Sequence, residues 1–222
     1  MPDPKLVFLF DVDNTLLDND QVTADLRKHL DSAVGSERSR RYWELFETIR
    51  KEIGYADYLG ALQRYRAENP HESQLVAVSY FLLGYPFANR LFPGSLDAVQ
   101  HVSQWGTPVI LSDGDVVFQP RKVFRSGLFE RFAGNVQIYI HKEEELDDVA
   151  AKFPADHYVM IDDKLRLLTA IKDIWRSRVT TVFVRQGHYA HDTKAISKYR
   201  DADLTIERIG DLTQFEAADF CG

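Results

Sequence analysis

The stretch Leu6-Val7-Phe8-Leu9-Phe10-Asp11-Val12-Asp13-Asn14-Thr15-Leu16-Leu17 stands near the start of a 222-residue chain and decides how the rest is read. Five apolar residues run, without alternation, into two aspartates. A strand that is apolar on both sides suits the interior of a parallel sheet, where helices cover both faces. Lys5–Phe10 is the first of five such runs. The others, also rich in Val, Ile and aromatic residues, are Pro108–Leu111, Val136–Ile140, His157–Ile161 and Val179–Val184. Helical patterns fill the intervals at Ser95–Trp105, Arg121–Ser126, Lys142–Phe153 and Lys164–Arg176, and Gly127 is placed to end a helix. This alternation predicts βαβ units and an α/β fold built on a doubly wound, mostly parallel, Rossmann-like sheet.

Residues 21–89 break the rhythm. No strand is legible there, only helical periodicity: Trp43, Phe46, Ile49 and Ile53, then Tyr55, Tyr58, Leu59, Leu62 and Tyr65. Asn69-Pro70 and Gly84-Tyr85-Pro86 end helices, and Phe92-Pro93-Gly94 marks the return to the alternating pattern. The expected organisation is a core of residues 1–20 and 90–222, interrupted by an all-helical domain at 21–89.

Composition narrows the function. With 45% hydrophobic and 27% charged residues the chain is neither disordered nor fibrous. Lys plus Arg (27) against Asp plus Glu (34) leaves a net charge of −7, which repels nucleic acid and confines any phosphate binding to a local site. The single Cys221 excludes an intramolecular disulfide framework and a cysteine zinc site, and fits a reducing compartment. The run at Leu6–Phe10 is too short for a signal-peptide core, and Leu75–Phe87, broken by Gly84 and Pro86, falls short of a membrane span. A soluble, cytoplasmic protein without nucleic-acid or membrane partners is expected, as monomer or homodimer. Phosphate-loop, dinucleotide, zincin and serine-elbow motifs are all missing from the sequence.

In an open parallel sheet the ligand crevice lies beyond the carboxyl ends of the strands. There the sequence delivers Asp11 and Asp13, then Ser112-Asp113-Gly114, then His141-Lys142, then Asp162-Asp163. Converging carboxylates repel one another, and a divalent cation relieves the repulsion. Magnesium suits hard carboxylate oxygens and retains positions for water and phosphate. A carboxylate beside a metal can attack phosphorus and form an aspartyl-phosphate. Asp11 and Asp13, two residues apart, point to one side of an extended chain, so one can attack while the other handles the proton. Ser112 and Lys142 would hold the phosphoryl oxygens. Lys122 and Lys152 are the rivals of Lys142, which alone follows a predicted strand.

At these residues the sequence resembles the haloacid dehalogenase-like hydrolases, whose members are mostly phosphatases. Asp11-Val12-Asp13-Asn14-Thr15 is similar to the family's Asp-x-Asp-x-Thr motif, Ser112 to its second motif, Lys142 to its third and Asp162-Asp163 to its fourth. The resemblance makes Asp11 the nucleophile and Asp13 the general acid/base whose carbonyl also binds magnesium. It gives Thr15 a place in supporting the loop and, with Ser112 and Lys142, holding phosphate. Asp11, Asp13, Asp162 and Asp163 become the metal set, with Asp163 the more direct ligand. The insertion at 21–89 resembles the family's α-helical cap. Two features depart from the pattern: Asp113 stands where relatives often have Asn, and Lys164-Leu165-Arg166 follows the acidic pair.

The implied activity is magnesium-dependent hydrolysis of a small phosphorylated metabolite. The alternatives are a phosphomutase or dehalogenase on the same fold, or a non-catalytic binding member. The aromatic residues Tyr42, Trp43, Phe46, Tyr55, Tyr58 and Tyr65 read as core packing before ligand contact. Arg40, Arg41, Arg50 and Lys51 read as a solvated face, and His188 and His191 as surface residues.

Overall fold

Six parallel strands form one sheet in the computed structural model, which describes residues 5–221. They are β1 (Leu6–Phe10), β2 (Gly106–Asp113), β3 (Val136–Tyr139), β4 (His157–Asp162), β5 (Val179–Val184) and β6 (Leu204–Ile206), in the order β3-β2-β1-β4-β5-β6. The chain steps outward from β1 to β3 on one side, then crosses to β4 on the other. β1 is therefore the switch point, and its carboxyl end opens the crevice. Phe10 is level with Ile110 and Ile161, so Asp11 leaves the sheet beside Leu111 and Asp162.

Side chains alternate across β1 as a pleated strand requires. Leu6, Phe8 and Phe10 join one buried cluster, and Val7 and Leu9 the other. All five are at most 2% exposed, and each such burial contributes about 1.5–3 kcal/mol relative to exposure. The apolar run at the start of the chain is thus a strand covered on both faces.

Four helices follow β1: α1 (Asn19–Val34), α2 (Ser36–Ile53), α3 (Tyr58–Glu68) and α4 (Leu75–Gly84). Asp18 caps α1 by accepting from Gln21 N at 2.9 Å. Gly54, at φ +87°, ends α2 in the left-handed conformation. The remaining helices are α5 (Ser95–Val102), α6 (Phe118–Arg125), α7 (Leu128–Arg131), α8 (Leu146–Lys152), α9 (Leu165–Trp175), α10 (Gly187–His191) and α11 (Thr193–Ile196). No helix among the described residues is long and apolar enough to cross a membrane. Residues 1–4 and Gly222 of the expected core lie outside the described residues.

The structure departs from the expected elements in several places, and α7, α10 and α11 are short helices beyond those expected. β6 is an additional strand. α6 starts three residues before Arg121, after a turn in which Asp115 Oδ1 accepts from the backbone N–H groups of Val117 (2.8 Å) and Phe118 (2.6 Å). The helix expected at Lys142–Phe153 is divided into a 3-10 turn at Lys142–Glu144 and α8. Its first residue is held by the site instead, with Lys142 N donating to Asp113 Oδ1 at 2.8 Å.

Candidate active site

The loop after β1 is shaped by Asn14, which sits at φ +63°. Asparagine tolerates this left-handed conformation better than most residues because its short amide bonds locally. Here Asn14 Oδ1 accepts from the backbone N–H groups of Asn19 (3.0 Å) and Asp20 (3.1 Å), and its Nδ2 donates to Asp20 Oδ1 (3.0 Å). The loop and the start of α1 are thereby one unit, with Asp11 and Asp13 on it.

Lys142 stands at the centre of the acidic cluster and is fully buried. Its ammonium donates to Asp11 Oδ1 at 2.6 Å and to the carbonyl of Leu111 at 3.2 Å. It also lies 2.7 Å from Asp162 Oδ2, an ion pair without hydrogen-bond alignment. Burial disfavours its charge, but Asp11, Asp162 and Asp113 outweigh burial and hold its pKa above the usual lysine value. Burial likewise pushes Asp11 up, and Lys142 and Lys164 more than reverse this, so its carboxyl stays below the usual range and ionised. Of its two oxygens Oδ2 is the less committed, its one contact being Thr15 Oγ1 at 3.5 Å.

Asp162 and Asp163 titrate in the opposite sense. Burial raises both despite the nearby lysines, and Asp163 stands well above the carboxylate range. Asp162 Oδ1 accepts from Lys164 N at 2.8 Å, whereas neither oxygen of Asp163 has a hydrogen-bond partner. Oxygens of Asp11, Asp162 and Asp163 lie within 4.8 Å of one another. Three carboxylates this close, one of them with both oxygens orphaned, fit a divalent cation.

The remaining expected residues fall around this cluster. Ser112 Oγ is buried and accepts from Gln119 Nε2 at 3.0 Å. Asp13 accepts from Lys122, not Lys142, at 2.6 Å. Lys152 lies apart, in an exposed pair with Asp148 at 2.7 Å. Asp113, the departure from the pattern, has one oxygen committed to Lys142 N, and burial raises its pKa.

A cavity of about 640 Å³ adjoins the cluster, reached from the core side by Asp13, Asp113 and Lys164. The helices supply Trp43, Phe46 and Tyr58 from the aromatic set and Arg50 from the basic one, and the loop between α2 and α3 supplies Tyr55. Tyr42 and Tyr65 are buried and do not line the cavity. His188 does, bound through its backbone N–H (2.8 Å) and Nδ1 (2.6 Å) to Asp20. His188 is exposed, as its reading as a surface residue has it, but the pairing with Asp20 carried no sequence signal, because the two are 168 residues apart. Lys164 did carry one: it directly follows the acidic pair at a strand end.

A Rossmann-like parallel sheet with a carboxylate–lysine cluster beyond its switch-point strand defines an α/β protein with an aspartate-lined crevice. The family model of the haloacid dehalogenase-like hydrolases matches residues 6–174, and the chain belongs to that family. It is similar to a haloacid dehalogenase-like hydrolase from Burkholderia xenovorans LB400, at 60% identity over 97% of this chain and 100% of that one, with a TM-score of 0.93. An L-2-haloacid dehalogenase from Xanthobacter autotrophicus shares the fold at 20% identity, 94% and 96% coverage and a TM-score of 0.59. A magnesium-bound HAD-hydrolase from Bacillus subtilis shares it at 15% identity, 96% and 98% coverage and a TM-score of 0.64. No curated protein gave a significant match.

Proposed function

We propose that this chain is a magnesium-dependent phosphatase of small phosphomonoesters, with the helices at 21–89 as its cap. The observation that carries the reading is the pairing of two features: a second carboxylate, Asp13, two residues from Asp11, and the orphaned oxygens of Asp163. Displacement of halide from carbon needs neither a proton donor nor a metal, whereas phosphate-ester hydrolysis uses both.

Asp11, Asp162 and Asp163, with the backbone carbonyl of Asp13, would hold the cation, which when bound offsets carboxylate repulsion and the charge of the phosphoryl oxygens. Asp11 attacks phosphorus through its less committed oxygen, forming the aspartyl-phosphate as the ester P–O bond breaks. Asp13 gives its proton to the departing alkoxide. It then takes one from the water that attacks phosphorus and releases Asp11 and phosphate. Lys142, held between Asp11 and Asp162, and Ser112 steady the phosphoryl oxygens, and Thr15 the loop. The aromatic wall and Arg50 admit a compact, polar metabolite and limit water.

Hydrolytic dehalogenation is the second reading. Asp11 would attack carbon, and Arg50 in the cavity suits a substrate carboxylate. Two assays separate the readings: p-nitrophenyl phosphate with and without magnesium, and halide release from 2-chloropropionate. Magnesium-dependent phosphate release by the wild type that Asp11→Asn abolishes supports the phosphatase. Halide release without phosphate release replaces it with the dehalogenase, and equal inertness of wild type and variant toward both removes either activity.

A further inference from the structure

Lys122 is a buried lysine outside the acid cluster, with 1% side-chain exposure. It projects from α6, on the face that also buries Phe118, Gln119 and Val123. Burying an ammonium is costly unless it is paired. Its partners are Asp13 Oδ1 at 2.6 Å and Asn19 Oδ1 at 3.0 Å, with the Phe118 ring 5.5 Å away. Asn19 Nδ2 in turn donates to Tyr58 Oη at 3.3 Å, and Tyr58 Oη meets Thr23 Oγ1 at 2.8 Å. Lys122 therefore joins the loop after β1 to the first and third helices.

An ammonium group only donates hydrogen bonds. While Lys122 holds Oδ1 of Asp13, that oxygen can only accept, so a proton carried by Asp13 resides on Oδ2. Oδ2 has no hydrogen-bond partner among the described residues, and Asp13 lines the cavity. From this geometry we infer that Lys122 is a positioning residue for proton transfer: it fixes the rotation of the Asp13 carboxyl and leaves Oδ2 as the oxygen that protonates the leaving group. Asn19, held by Tyr58, fixes Lys122 in turn. The inference rests on the phosphatase reading, with Asp13 as the acid.

The test compares kcat/KM for two esters, because only a poor leaving group needs the proton. p-Nitrophenolate departs unaided, whereas the alkoxide of glycerol 2-phosphate does not. Lys122→Met is expected to lower kcat/KM roughly a hundredfold on glycerol 2-phosphate and less than about fivefold on p-nitrophenyl phosphate, the range in which general acids act. Asn19→Ala, on the less buried side of the pair, should show the same pattern with a loss of roughly tenfold on the alkyl ester. An equal loss on both esters overturns the inference, and Asn19→Ala decides it alone if Lys122→Met does not fold. A wild type that hydrolyses neither ester overturns the phosphatase reading and this inference with it. If it hydrolyses both, only the ratio bears on Lys122.

Discussion

Asp163 is where the electrostatic argument is sharpest. Its oxygens are buried without partners, and an isolated buried carboxylate is strongly disfavoured. A cation shared with Asp11 and Asp162 would turn this defect into a ligand set. Saturating magnesium is therefore expected to raise the melting temperature of the wild type. A ligand at a hundred times its Kd adds ~2.7 kcal/mol, or about 5–10 °C for a chain of this length. Asp163→Asn should fold but lose most of that gain, as melts in EDTA and in magnesium would show. An undiminished gain in the variant would remove Asp163 from the ligand set. The residue scale is also where sequence and structure differ most instructively. Lys122 and Lys142 read as rivals for one role, yet they hold different acids, Asp13 and Asp11. Strand-end position pointed to Lys142. The signal for Lys122 was of another kind, a lysine on the apolar face of an amphipathic helix, and strand ends cannot reveal it.

At the scale of elements, five strands and most helices were legible because hydrophobic runs and periodicity are local. β6 was not: it has three residues, one neighbour and no full-length apolar run. The start of α10 shows what local patterns miss. Gly187 has φ +68°, and a Cβ there would stand 2.4 Å from the Cβ of Asn14. The glycine lets β5's exit loop press against the loop that carries Asp11 and Asp13. Beside it, Gln186 Nε2 donates to the carbonyl of Thr15 at 3.1 Å, a second tie between the same segments. Gly187→Ala is therefore expected to cost ~1–3 kcal/mol in chemical denaturation, through backbone strain and displacement of Asn14. It should also lower kcat if Asp11 and Asp13 act as proposed, because Asn14 organises the loop that carries them. A variant as stable as the wild type would mean that the loop yields freely there.

At the scale of the molecule, the segment of α1 to α4 leaves the sheet after β1 and returns to it through two backbone hydrogen bonds. Asp18 N donates to the carbonyl of Arg90 at 2.7 Å, and Phe92 N to that of Leu16 at 3.0 Å. Just beyond, Asp25 on α1 accepts from Tyr85, from Arg90 Nη2 at 2.7 Å and from Gln21 Nε2 at 2.8 Å, closing the helical segment on itself. Burial pushes the Asp25 carboxyl upward, but these hydrogen bonds outweigh it and hold its pKa below the ordinary 3.8. A carboxyl depressed on folding binds fewer protons in the native state than in the unfolded one. Its contribution to stability is therefore complete above the unfolded value and is lost as pH falls through the folded one. Asp25→Asn should accordingly be less stable than the wild type at pH 7, with the gap narrowing below about pH 4 as Asp25 protonates in the wild type. Urea denaturation of both proteins at pH 7, 5 and 3 measures this directly. A gap of constant size would show that the asparagine disturbs packing rather than charge, and the junction would then be held by its backbone bonds instead of by Asp25 and Arg90.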